Sequence, residues 1–164
     1  MTLRSPEPLN AAHGIDGFDS DVNSLDDWLR KRALPKQMSG ASRTFVSCDA
    51  GRVVAYYAPA ASAIATETAL GKFRRNMPDP IPVVVLGRLA ITRSHQGQSL
   101  GRSMFQDAAQ RIVQTADTIG IRGLLVQTIS VEAKAFYLKL GLEPSPLEPM
   151  TLMVTIADLR TAIA

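Results

Sequence analysis

One stretch constrains the fold more than any other. Residues 83–91 read Val-Val-Val-Leu-Gly-Arg-Leu-Ala-Ile, a nearly continuous apolar run, and lead through Gln96-Gly97-Gln98-Ser99-Leu100-Gly101 into a long amphipathic pattern. A run of that composition is a strand covered on both faces. Small residues in the following turn let the backbone approach an anion closely, and the first N–H groups of the next helix point at it with the positive end of the helix dipole. Strand, turn and helix in this order predict a pyrophosphate cradle. Gly87 is out of place in a covered strand, and its position predicts a bulge or the approach of a ligand.

The remaining elements follow from punctuation and period. Asn23-Ser24 are placed to cap a helix over 25–33, with Leu25, Trp28 and Leu29 on one face and Asp26, Asp27 and Arg30 on the other. Residues 42–48 and 52–61 read as two strands around the turn Asp49-Ala50-Gly51. Two prolines make 76–80 a loop, and a strand over 81–92 follows. Leu100, Met104, Phe105, Ala108, Ile112, Val113 and Ile119 recur at helical spacing up to Gly120. Residues 123–128 form another buried strand, Ser130 caps a helix over 131–140 that stops at Gly141, and 150–156 is a last strand. No linker, repeat or low-complexity tract divides the chain, so one domain over residues 1–164 is expected.

At 46% hydrophobic and 20% charged residues, the composition is that of a globular protein able to bury a core. The single cysteine, Cys48, excludes an internal disulfide and fits a reducing compartment, and its apolar neighbours predict a buried structural side chain. The most apolar stretch, 55–65, is too short to span a membrane, and the N-terminus lacks an apolar signal region. A soluble cytoplasmic protein is expected. The net charge of +3 hides an asymmetry: residues 1–29 carry one basic against six acidic side chains, whereas 30–75 carry nine basic against two acidic. Two basic clusters in a stretch nearly free of acid predict a surface facing a polyanion.

The order of elements and two motifs resemble the GNAT (GCN5-related N-acetyltransferase) family over most of the chain. Gln96, Ser99 and Gly101 stand at the marked positions of the family's cofactor signature, with Ser99 where the family has glycine. Its N–H is retained. Phe136-Tyr137, Leu140-Gly141 and Glu143-Pro144 look like the family's second motif. The resemblance implies an α/β fold with a central mixed, largely antiparallel sheet, a parallel splay between its fourth and fifth strands, and flanking helices. It implies acetyl-CoA as co-substrate, without a metal. Leu89, Ala90 and Ile91 would hold the pantetheine arm, and Gln96, Gly97, Gln98, Ser99, Leu100, Gly101 and Arg102 the pyrophosphate. It also implies Tyr137 as the acid for the departing thiolate, a role a phenol beside the sulfur can fill. Helical spacing puts Phe136 and Leu140 on one face and rotates Tyr137 off it, away from the core.

A narrower likeness, to acetyltransferase toxins of bacterial toxin–antitoxin pairs that acetylate the α-amine of aminoacyl-tRNA, rests on five stretches. These are 25–29 (Leu-Asp-Asp-Trp-Leu), 40–46, 86–90, 114–120 and 144–146. It implies aminoacyl-tRNA as substrate, a ribbon-helix-helix antitoxin as partner and translation as target; a homodimer is compatible with it. Lys31, Arg32, Lys36, Arg74, Arg75, Arg88 and Arg93 are the candidate tRNA contacts. Residues 86–91 contain no carboxylate or histidine to act as base. That lack suits an α-amine, pKa about 7.7–8.0, better than a lysine at about 10.4. His95 precedes the cradle as a solvated loop histidine able to shuttle a proton. Two other readings stay open at this point: an acetyltransferase for a small-molecule or protein amine, and a non-catalytic acyl-CoA- or DNA-binding regulatory subunit.

Overall fold

In the computed structural model, which describes residues 3–163, the elements run from β1 (Glu7–Pro8) through α1 (Asn23–Trp28), a π-helical turn (Leu29–Ala33), α2 (Leu34–Ser39), β2 (Phe45–Asp49) and β3 (Arg52–Ile64) to α3 (Gly71–Arg74) and β4 (Ile81–Ile91). They continue with α4 (Leu100–Ala116), β5 (Gly123–Gln127), α5 (Val131–Lys139), β6 (Glu143–Pro144), β7 (Thr151–Thr155) and α6 (Ile156–Ile163). Seven strands make one mixed sheet in the order β1-β2-β3-β4-β5-β7-β6, flanked by helices. The ladder is parallel where Val83–Val85 of β4 meet Gly123–Leu125 of β5, a pairing that requires a crossover, supplied by α4. No helix among the described residues is long and apolar enough to cross a membrane.

Two compact units are present: one runs up to Ala60 and includes Gly87–Ala108, and the other comprises Ala61–Leu86 and the chain from Ala109 onward. In the first, Tyr56 is fully buried, with Phe18 edge-on at 5.5 Å and Trp28 stacked at 5.9 Å. Its hydroxyl donates to the Leu25 carbonyl at 2.6 Å, and burial raises its pKa. Cys48 is buried in β2, and burial pushes its thiol up as well, in keeping with a packing role. The β2–β3 hairpin turns through Ala50 (φ 54°) and Gly51 (φ 79°), the twist a two-residue hairpin loop needs.

The first helical segment extends past the expected end at residue 33. Pro35 has no N–H and its ring crowds the carbonyl four residues back, and the π-helical turn before it absorbs that misfit so that α2 starts with Pro35 in its first turn. The segment stops at Gly40, which is left-handed at φ 80°. Its start has no side-chain cap, contrary to the expectation for Asn23-Ser24. Asp26, placed by period on the polar face, is buried at 3% exposure because Ser20 supplies it with hydrogen bonds.

In the second unit Phe73 packs with Ala69, Ile81, Val83, Leu125 and Met153. A Cβ on Gly123 would lie 2.2 Å from the Val154 carbonyl oxygen and 2.5 Å from the Phe73 ring, so only glycine fits there. Ser130 caps α5 as expected, accepting from the Ala133 N–H at 3.0 Å, and Gly141 follows at φ 100°. Tyr137 is the buried residue of α5, whereas Phe136 and Leu140 are half-buried. The expected face was therefore wrong: apolar residues surround this helix, and its period does not choose among them. α4 ends at Ala116, leaving Ile119 54% exposed outside the core. α6 continues from β7 where the sequence suggested only strand; the Thr155 hydroxyl caps it, accepting from the Asp158 N–H at 3.1 Å.

Candidate active site and nucleic-acid interface

The residues expected to hold the cofactor all lie in the first unit. Ala90 turns its side chain into the core around Tyr56, leaving Leu89 and Ile91 half-buried on the other side of the strand. After the turn Arg93–His95, Gly97 takes φ 77° and Ser99 φ 63°, and α4 begins at Leu100. Ser99 thus adopts the left-handed conformation its glycine counterpart would take freely. The Ser99 carbonyl accepts from the Ser103 N–H at 3.1 Å, which leaves the amides of Leu100, Gly101 and Arg102 ahead of that first helical bond. No acidic residue occupies the first turn of α4, and Arg102 is exposed there. Backbone donors, dipole and charge all suit a pyrophosphate, so the residues present fit acetyl-CoA.

Gln96 does a different job from the one expected. Its side-chain amide donates to the Ser20 carbonyl at 3.1 Å and the Ile91 carbonyl at 2.8 Å, so it braces the loop rather than offering those hydrogens outward. Gly87 is exposed, and a Cβ there would meet nothing within 4 Å. That face of the strand is open. His95 is half-buried rather than solvated: its Nε2 lies 3.1 Å from Asp49 Oδ2 and its Nδ1 2.8 Å from Ser94 Oγ. It lines a cavity of about 420 Å³ with Arg52, Phe18 and Thr92.

Four of the seven candidate tRNA contacts converge. Lys31, Arg32, Lys36 and Arg88 line a second cavity of about 410 Å³ together with Trp28, Ser24 and Asp27. Arg88 lies over the Trp28 ring, its guanidinium carbon 4.4 Å from the centroid, so a cation–π contact anchors the strand's cation at this cavity. Trp28 was legible only as a core residue; the signal missed was its place one turn before Lys31 and Arg32. Arg93 is engaged elsewhere, by Asp19 at 3.3 Å and Asp21 at 2.8 Å. Arg74 and Arg75, exposed at the end of α3, belong to the second unit, as does Tyr137. Burial alone pushes the Tyr137 phenol up, which keeps it protonated and able to donate.

Glu7, His13 and Cys48 place donor atoms within 4.8 Å of one another. The Asn10 N–H donates to His13 Nδ1 at 3.0 Å, which puts the ring proton of a neutral imidazole on Nε2, facing Glu7 at 3.0 Å. Glu7 and His13 are thus a hydrogen-bonded pair, with the buried Cys48 thiol beside them.

No protein-family model matches the chain. It is 46% identical over 159 residues to the tRNA-acetylating toxin of Mycobacterium tuberculosis, a match covering 97% of this chain and 96% of the relative. The chain belongs to the family of tRNA-acetylating GNAT toxins. Among solved structures of such toxins, AtaT complexed with acetyl-methionyl-tRNA superposes with a TM-score of 0.90 at 25% identity, covering 99% of each chain. A tyrosine-to-phenylalanine mutant of AtaT bound to acetyl-CoA and the C-terminus of the antitoxin AtaR superposes with a TM-score of 0.84 at 25% identity, covering 98% of each. This GNAT toxin therefore has the fold of those solved toxins.

Proposed function

We propose that this chain, acting as one GNAT domain in the cytoplasm, acetylates the α-amine of aminoacyl-tRNA with acetyl-CoA and so arrests translation. The observation that carries the reading is the pairing, within one compact unit, of an anion cradle at residues 96–102 with a cavity lined by Lys31, Arg32, Lys36 and Arg88. Acetyl-CoA supplies the activated acetyl group. Leu89 and Ile91 hold its pantetheine arm through their backbone groups, and the amides of Leu100, Gly101 and Arg102 meet its pyrophosphate. The basic cavity takes phosphates of the tRNA, which fixes position without reading sequence. Arg74 and Arg75, exposed on the second unit, and Arg93 remain further candidates for tRNA phosphates. Tyr137, held neutral by burial, gives its proton to the sulfur as the C–S bond breaks and the amine nitrogen forms the new amide bond. The proton shed by the amine leaves through solvent, since residues 86–91 offer no base.

AtaT in complex with acetyl-methionyl-tRNA supports the substrate, and AtaT with AtaR supports an antitoxin partner, which we take to be a ribbon-helix-helix protein. The test is incubation with radiolabelled acetyl-CoA and either charged or uncharged tRNA. Label is expected on charged tRNA alone; label on neither, or equally on both, refutes the proposal. Tyr137→Phe is expected to lower turnover by about 10²–10⁴-fold, the usual contribution of a general acid, with folding intact.

A further inference from the structure

We propose that Asp26 is a positioning residue for the cofactor cradle, acting through Ser20 and Gln96. This rests on residues 96–102 being that cradle. Asp26 stands in the first turn of α1, where the helix dipole favours a carboxylate, yet it does not cap its own helix. It reaches back to the preceding loop, where its Oδ1 accepts from the Ser20 N–H at 3.0 Å and the Ser20 hydroxyl at 2.7 Å. Its Oδ2 lies 3.2 Å from the same N–H. Asp26 is 3% exposed and Ser20 is 7% exposed, so this charge-assisted pair is shielded from water.

Ser20 passes the constraint on. Its carbonyl accepts one side-chain hydrogen of Gln96, whose amide also donates to the Ile91 carbonyl and closes the chain between the end of β4 and the cradle. The two residues on either side of Ser20 reinforce the clamp. Asp19 exchanges hydrogen bonds with Thr92 and accepts from the Arg93 N–H at 2.8 Å, and Asp21 pairs with the Arg93 guanidinium at 2.8 Å. Gly97 and Ser99, whose left-handed conformations shape the cradle, follow immediately. A buried carboxylate is costly to keep unless it is fully bonded, and all the side-chain bonds of this one serve the loop that holds Gln96. Asp26 also stands on the helical segment that carries Lys31, Arg32 and Lys36, so one element fixes the cradle at its start and presents the basic cavity further on.

The experiment compares Asp26→Asn, Gln96→Met and the double variant by amide hydrogen exchange without cofactor and by calorimetric acetyl-CoA binding. Asp26→Asn is expected to raise exchange at the bonded amides of Arg93, His95 and Ser103, which flank the cradle, while the β2–β3 hairpin stays protected, and to weaken acetyl-CoA about tenfold. Gln96→Met, at an exposed position that leaves the fold standing, is expected to do the same. The double variant is expected to match either single one, because both break one chain of bonds. Exchange that rises throughout the first unit, or losses that multiply, would make Asp26 a general structural residue and overturn the proposal. A wild-type protein that fails to bind acetyl-CoA would defeat the proposed function instead, and the exchange at Arg93, His95 and Ser103 would still decide the relay. Should Asp26→Asn fail to fold, Gln96→Met alone decides: unchanged exchange at Arg93, His95 and Ser103 overturns the proposal.

Discussion

Ser99 holds a left-handed backbone at a position where the resemblance implied glycine, which makes the consequence of a substitution calculable. At φ 63° an L-residue brings Cβ against the following carbonyl, at a cost of roughly 1–2 kcal/mol that glycine does not carry. Ser99→Gly removes that cost but loosens the unfolded chain, which offsets about 0.4–1 kcal/mol of the gain. The net expectation is a stabilisation of about 0.5–1 kcal/mol, and for a chain of this size each kcal/mol moves Tm by roughly 2–4 °C. Thermal unfolding should therefore shift upward by about 1–4 °C. Acetyl-CoA affinity, measured by calorimetry on the same protein, should stay within about threefold, because the backbone N–H survives and the loop is braced at Gln96 rather than at Ser99. Ser99→Val is the control: a β-branched residue tolerates this conformation least, and Tm should fall. A drop in Tm for Ser99→Gly would refute the reasoning, since it would mean that the serine side chain contributes more than its strained backbone costs.

Other expectations follow from the same geometry. Arg88→Ala should weaken tRNA binding alike for every tRNA and reduce the slope of log affinity against log salt by about 1, as measured by filter binding over a salt series. An unchanged slope would remove Arg88 from the phosphate contacts. Gly123→Ala forces a Cβ onto the Val154 carbonyl and the Phe73 ring, which should destabilise by roughly 3 kcal/mol and lower Tm by on the order of 10 °C, with partial recovery in Gly123→Ala/Phe73→Leu. In initial-rate measurements, transfer should rise through the pKa of the amine, about 7.7–8.0 or below, and show no falling limb near pH 10, where an exposed tyrosine ionises. The sign follows from burial, which holds the Tyr137 phenol protonated to higher pH. A falling limb centred at about 10 would mean that the acid has an ordinary pKa.

The elements that could be read from the chain are those whose instructions are local. The Ala50–Gly51 turn, the run of β4, the period of α4 and the Ser130 cap each lie within a few consecutive residues, and each formed where its pattern stands. β1 and β6, two residues each, have no period to detect, and they exist because β2 and β7 offer them edges. Pro35 reads as a helix end, yet the π-helical turn carries the helix past it. Asp26 reads as a solvated acid because its partner, Ser20, comes from the preceding loop; no window on the helix contains the reason for its burial. α6 was legible in principle: Thr155 and Asp158 have capping spacing, but the apolar run before them concealed it. In the site, charge counting located the basic cavity without indicating that Arg88 would reach it over Trp28, or that Arg93 would be held by two aspartates.

Those charges bear on which amine the proposed reaction accepts. At pH 7 a lysine of pKa about 10.4 is neutral in roughly one molecule in 2,500, whereas an α-amine at about 7.7–8.0 is neutral in roughly one in ten. Without any contact to the side chain, the missing base thus disfavours lysine by a few hundredfold, or about 3 kcal/mol, because nothing in residues 86–91 can remove the proton. A carboxylate in this strand would erase part of that difference by taking the proton from either amine. Arg88, the sole ionisable side chain in the stretch, is a cation and cannot take that proton. Its charge also favours a substrate that brings phosphates to the basic cavity. Selection for an already reactive amine and selection for a polyanion therefore reside in the same segment, and Leu89→Glu should relax the first while leaving tRNA affinity nearly unchanged. Acetylation of a lysine peptide by that variant, with charged tRNA as competitor, measures the relaxation; no gain in peptide labelling would show that the amine is chosen by shape instead.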